Sequence, residues 1–82
     1  MPQRPTPAPP AEPVYQRIVR EFTSRIDSGE LKPGDRLPST SQLAQQYQCA
    51  PATVRHALSR LHALGLIQGH QGRGVFVRAA PD

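Results

Sequence analysis

The chain has 82 residues, room for one small domain that buries only about 60% of the surface its unfolded chain exposes, and an enzyme cleft is hard to build on so little core. Its formal net charge is +4, and a single cysteine, Cys49, excludes an internal disulfide and gives no sign of an oxidising compartment. No apolar run approaches the roughly 18 residues of a membrane span, and no apolar signal segment opens the chain, so a cytoplasmic protein is expected.

Prolines cluster at the start: Pro2, Pro5, Pro7, Pro9, Pro10 and Pro13. Residues 1–12 therefore predict a disordered, partly polyproline-II arm. It holds only Arg4 as a base and is given no role. From residue 13 the pattern turns helical. Val14, Tyr15, Ile18, Val19, Phe22 and Ile26 draw one apolar stripe, and Gly29 supplies a left-handed stop. A first helix over residues 13–28 is expected to serve core packing.

Leu31-Lys32-Pro33-Gly34-Asp35 carries the type II turn signature, proline second and glycine third in the turn. Arg36-Leu37 then predicts a very short extended piece that Pro38 bars from a central strand but not from a hairpin edge. Ser39-Thr40-Ser41-Gln42 reads as a capping box: the Ser39 hydroxyl accepts from the Gln42 amide while the Gln42 side chain reaches back. It opens a second helix ending near residue 46 or 47, with Leu43, Ala44 and Tyr47 inward. So short a polar-faced helix would not stand alone.

Gln48-Cys49-Ala50 is the turn, with Cys49 expected to be a small buried hydrophobe rather than a reactive thiol. Ala50 sits where a capping hydroxyl is favoured, a loss on the order of 1 kcal/mol, partly offset by Pro51 at the first helical position. A third helix spans residues 51–64. Its core stripe is Val54, Ala57, Leu58, Leu61 and Leu64, and its outer side shows Ala52, Arg55, His56, Ser59 and Arg60. Gly65 ends it. Residues 66–68 and 75–77 predict two strands around a glycine-tipped loop over 69–74. The fold class is mainly α with a small antiparallel β-hairpin: a winged helix-turn-helix of three helices plus a wing over residues 13–78, followed by a frayed tail at 79–82.

Charge divides this chain in two. Through residue 35 acids and bases balance. From Arg36 to Pro81 the chain holds Arg36, Arg55, Arg60, Arg73 and Arg78 and no acid. Ordinary surface solvation explains scattered charge but poorly explains an acid-free run of that length. A one-signed surface attracts polyanions, and the arginine fork suits phosphates and guanine edges.

Two helices joined by a three-residue turn let the second enter a major groove while the first braces it. The groove would meet Pro51, Ala52, Thr53, Arg55 and His56, with Arg60 further along. For Arg55 a phosphate is the safer assignment. Ser39, Thr40 and Ser41 open the second helix, where free amides and hydroxyls make a phosphate anchor; capping alone is the competing explanation for the run, and the favoured one for Ser39. The tip Gly69-His70-Gln71-Gly72-Arg73-Gly74 can lie along a minor groove, with His70, Gln71, Gly72 and Arg73 as its contacts, against the alternative of an ordinary surface turn.

Other chemistry fails on spacing. His56, His62 and His70 have no carboxylate or thiol at metal-ligand spacing. The glycines of the tip open no helix, so they are not a nucleotide fingerprint. The basic half has no acid to complete a Ser-His-Asp set. No catalysis, metal or cofactor is expected.

Three segments of this chain, VYQRIVREFTSRIDSGELKPGDRLPS, LAQQY and TVRHALSRLHALGLIQGHQGRGVFV, together spanning residues 14–77, resemble the DNA-binding domain of GntR-type bacterial transcriptional regulators. The resemblance implies a winged helix that binds an operator, usually as a dimer on a pseudo-palindrome. It implies DNA contacts at Ser41, Pro51, Thr53, Arg55, Gln71 and Gly72. Two positions depart from the pattern: the family often has arginine where Ser41 and Pro51 stand, and those arginines commonly read bases. Readout is therefore expected to move to Arg55, His56 and the wing around Arg73. Family members also usually carry a C-terminal domain that binds a metabolite and dimerises. Here a naturally minimal regulator, with no effector pocket within this chain, is favoured over a fragment of a longer one.

The resulting expectation is a sequence-specific, double-stranded-DNA-binding repressor, acting as a homodimer on its operator and apart from any membrane. A winged-helix protein-interaction module is the alternative, disfavoured by the acid-free half unless its partner is acidic.

Overall fold

The computed structural model describes residues 12–70 and 72–78, with the side chain of His70 left aside. Its elements run α1 (Val14–Ser28), α2 (Thr40–Tyr47), α3 (Pro51–Ala63), β1 (Ile67–His70) and β2 (Gly74–Val77). The expected three helices and hairpin are present in the expected order. The arm through residue 11, Gln71 and the tail at 79–82 lie outside the described residues.

α1 starts because Pro13 holds an extended backbone and offers its carbonyl to the amides of Gln16 and Arg17 at 3.0 and 3.1 Å. No side chain caps it. Just upstream, Glu12 takes both the Nε and the Nη2 of Arg20, at 2.9 and 2.8 Å. Those hydrogen bonds hold the Glu12 carboxyl below the usual carboxylate range. The helix ends at Gly29, whose φ of +86° turns the chain back, and Leu31 N–H closes onto the Arg25 carbonyl at 3.0 Å.

Ile18 and Phe22, one turn apart on α1, are buried with Leu37, Leu43, Ala44, Val54, Ala57, Leu61, Ile67 and Val77. Every element contributes to this single core, so none of the short ones needs independent stability. Full burial of a side chain such as Phe22 contributes about 1.5–3 kcal/mol. One residue of the expected stripe is missing from it: Leu64 is 61% exposed. α3 stops at Ala63, and Gly65 at φ +78° closes a Schellman motif in which Gly65 N–H meets the His62 carbonyl and Leu66 N–H meets that of Leu61. Past that reversal the helical period no longer holds, and Leu66 packs against the core where Leu64 was expected.

The turn at residues 32–35 forms as its proline and glycine predict. Asp35 N–H donates to the Lys32 carbonyl, Lys32 N–H donates to Asp35 Oδ2, and Gly34 sits at φ +93°. The following Arg36-Leu37 does pair with the hairpin. Arg36 bridges Phe76, Leu37 N–H reaches the Val75 carbonyl, and Val77 N–H reaches that of Asp35. β2 thus has neighbours on both sides, and Pro38 ends the pairing.

β1 and β2 are antiparallel in the register Ile67↔Val77, Gln68↔Phe76, Gly69↔Val75 and His70↔Gly74. The ladder runs further toward the tip than the glycines suggest, because Gly69 and Gly74 both join it. Alternation puts the buried pair Ile67 and Val77 on the inner face. Gln68, Phe76 and Gly74 therefore fall at outer-face positions.

Candidate nucleic-acid interface

The helix-turn-helix is built by α2 and α3. Ser39 caps α2 reciprocally with Gln42: the Gln42 amide donates to Ser39 Oγ at 3.1 Å and the Ser39 amide donates to Gln42 Oε1 at 2.8 Å. Ser39 therefore forms the expected capping box. Thr40 is half-buried in the first turn and Ser41 beside it is exposed. α2 ends at Gln48, which takes a left-handed φ of +54° while its amide closes onto the Ala44 and Gln45 carbonyls. The turn was expected at this place, but glutamine gives no local sign of positive φ. A long-range tether holds the pair against α1: the Tyr47 hydroxyl donates to Glu21 Oε1 at 2.6 Å, and the Arg17 guanidinium lies 5.0 Å from the Tyr47 ring.

α3 begins at Pro51 after an extended, uncapped Ala50. Pro51 and Ala52 are exposed, Thr53 is half-buried and Arg55 is exposed. His56 has a partner the sequence does not reveal. Its ring stacks on Tyr15 of α1, centroids 4.1 Å apart and planes within 17°. Arg60, one turn on, places its guanidinium carbon 6.0 Å from the centre of the same Tyr15 ring. His56 and Arg60 thus join α1 in one ledge, apart from the α3 N-terminus. Tyr15 had been assigned to core packing alone; only the stripe's edge position at the start of α1 hinted at more.

At the wing, Gly72 has φ +78° and is exposed beside exposed Arg73. His70 closes β1 opposite Gly74. Arg36, expected as a charge and as part of a short extended piece but not as a wing residue, lies against Gly74: a Cβ at that glycine would stand 2.8 Å from the Arg36 Nε and 3.2 Å from its Nη2. The available signal was alternation, since Leu37 inward puts Arg36 outward.

Ion pairing follows the division of charge. Arg17–Glu21 at 3.6 Å, Arg20–Glu12 at 2.8 Å and Arg25–Glu30 at 3.8 Å balance the arginines of α1. Arg36, Arg55, Arg60, Arg73 and Arg78 have no carboxylate partner among the described residues. Among those residues there is also no group of three His, Cys, Asp or Glu placed to hold a metal, and no helix is long and apolar enough to cross a membrane. The opposite end of the domain holds an open hollow of about 310 Å³, lined by Ile26, Leu31, Pro33 and Leu66 with Lys32 and Arg78 among its walls.

A chain that places an uncapped helix N-terminus, a glycine wing and unpaired arginines beside a balanced bracing helix has known counterparts. The family model described as bacterial regulatory proteins, gntR family, matches residues 14–77. The HTH-type transcriptional regulator LutR of Bacillus subtilis (strain 168) is 47% identical over 53 residues, which are 65% of this chain and 24% of LutR. The transcriptional repressor NagR of the same strain is 42% identical over 65 residues, 79% of this chain and 27% of NagR. The chain spans about a quarter of the length of these relatives. Among solved structures, the DNA-binding domain of AraR in complex with operator ORR3 superposes with a TM-score of 0.78 at 32% identity, covering 92% of this chain and 90% of that one. A GntR family regulator from Listeria monocytogenes gives 0.80 at 26% identity, covering 89% and 64%.

Proposed function

The chain belongs to the gntR family of bacterial regulatory proteins, and from that membership we propose that it binds double-stranded DNA sequence-specifically and regulates transcription as a repressor, by occupying an operator. DNA binding and transcription regulation are supported by the repressor NagR and by the operator-bound AraR domain, which shares this fold over nearly its whole length. The observation that carries the reading for this chain is the set of arginines from residue 36 onward, unpaired among the described residues, on a winged helix-turn-helix.

In this reading α3 enters the major groove and the wing lies along the minor groove. Pro51, Ala52, Thr53 and Arg55 meet the groove from the α3 N-terminus. Ser41 and Thr40 offer hydroxyls and amides to a phosphate at the start of α2. Gln71, Gly72 and Arg73, with His70, form the wing contact. Arg55 carries more of the α3 contact than His56, because its guanidinium is permanently charged while the stack on Tyr15 limits how the His56 ring can turn. Arg60, on the same ledge, supplies charge to the groove wall. The active species is a homodimer on a pseudo-palindromic operator, acting in the cytoplasm at the nucleoid.

Selection of binding sites from a random duplex pool tests this directly. An enriched sequence with two half-sites at a fixed spacing is expected. Recovery of no preferred sequence would overturn the operator assignment, and no retention of duplex at low salt would overturn DNA binding itself.

A further inference from the structure

We propose that Arg36 is a phosphate-contacting residue of the wing, its guanidinium lying against Gly74 at the base of the tip. The inference rests on the DNA-binding reading above and adds to it a residue from outside the helix-turn-helix and the hairpin.

The extended piece at Arg36 pairs with β2 through the bridge to Phe76. Bridged residues project to the same face of a sheet. Leu37 is buried and Val77 is buried, so the alternate positions Arg36 and Phe76 face outward. From there the Arg36 side chain runs toward the tip: its guanidinium carbon lies 3.4 Å, and its Nε 2.8 Å, from where a Cβ on Gly74 would be. That is two residues along β2 from the bridge. Gly74 closes the ladder opposite His70 and is followed, toward the tip, by exposed Arg73 and Gly72.

Two consequences follow for the charge. The missing side chain at Gly74 is the seat in which the guanidinium lies, so an edge residue delivers its positive charge to the tip. That charge stays available, since Arg36 has no carboxylate partner among the described residues. The neighbouring acid, Asp35, points its Oδ2 at the Lys32 amide, within the turn. Arg36 thus adds its positive charge to that of Arg73, the residue next to Gly74, at the end of the sheet that a minor groove would meet.

The experiment compares wild type, Arg36→Met and Arg36→Lys by titration against one random-sequence duplex over roughly 50 to 200 mM salt. Thermal unfolding of each protein runs in parallel. Arg36→Met keeps the aliphatic stem and removes the charge. Its salt slope should fall by about 0.9, one phosphate contact, while its unfolding midpoint stays near that of wild type. Arg36→Lys should keep the wild-type slope. Wild-type binding with an unchanged slope in Arg36→Met would overturn the contact. A loss of slope in Arg36→Met accompanied by a large drop in its midpoint would also overturn it, because the residue would then be structural. Absence of wild-type binding at the lowest salt would instead overturn the DNA-binding reading and this inference with it.

Discussion

The imidazole of His56 lies flat on the phenol ring of Tyr15, 4.1 Å between centroids and 17° between planes. The contact joins the first turn of α1 to the middle of α3, and it decides what His56 is free to do. A histidine on the outer side of a recognition helix looks like a base-reading group. Stacked on Tyr15, it also ties α3 to α1.

A double-mutant cycle should therefore find coupling between the two rings. Tyr15→Ala, His56→Ala and the double variant, unfolded in urea, are expected to give an interaction of about 0.5–1.5 kcal/mol. Additive losses would mean the stack contributes nothing. His56→Ala should also change affinity for duplex DNA less than Arg55→Ala does.

Arg55 makes the opposite case. It is exposed near the start of α3 and has no carboxylate partner among the described residues. Arg55→Ala should weaken duplex binding and lower the salt slope by about one contact, with a change in stability within about 0.5 kcal/mol. Unchanged affinity for every duplex tested would remove α3 from the interface.

Ala50 offers a gain. It has the extended φ and ψ of an N-cap, −72° and 149°, and no side chain to cap with. Ala50→Ser should place a hydroxyl near the amides of the first turn and stabilise the fold by about 0.5–1 kcal/mol. The measurement is a rise in the unfolding midpoint. A fall would show that the cap geometry is not reached.

Tyr47 should make stability depend on alkaline pH. Burial first, and then its hydrogen bond to Glu21, push the phenol from its usual 10.0 up to about 12. The fold thus holds the proton more tightly than the unfolded chain does. This contribution is complete below pH 10 and is lost as pH rises from there toward about 12. Across that window wild type should lose stability faster than Tyr47→Phe. At neutral pH the same variant should cost about 1 kcal/mol for the lost hydrogen bond. Parallel pH profiles of the two proteins would contradict the assignment.

Much of the helix-turn-helix was legible from short-range chemistry. Ser39 and Gln42 stand three apart, so their capping box can be seen without knowing where the rest of the chain goes. Pro33-Gly34 specifies its own turn, and Pro51 marks the start of α3 because its φ is already helical. Leu64 was misplaced because periodicity assumes that the helix continues, whereas the Schellman closure at Gly65 ends it one residue earlier. The left-handed turn at Gln48 was invisible, since glutamine has no preference of its own for positive φ.

The division between the two sources follows the distance over which each interaction acts. Helix starts, turn types, the acid-free run from Arg36 onward and the family resemblance are properties of neighbouring residues in order. All of them were available from the 82 letters. Which cations are neutralised and which side chains meet is settled by packing. Tyr15 and His56, or Arg36 and Gly74, are some 40 positions apart in the chain and come into contact only when the core closes around Ile18, Phe22 and Val77. That closure laid the His56 ring on Tyr15 and brought the Arg36 guanidinium against Gly74.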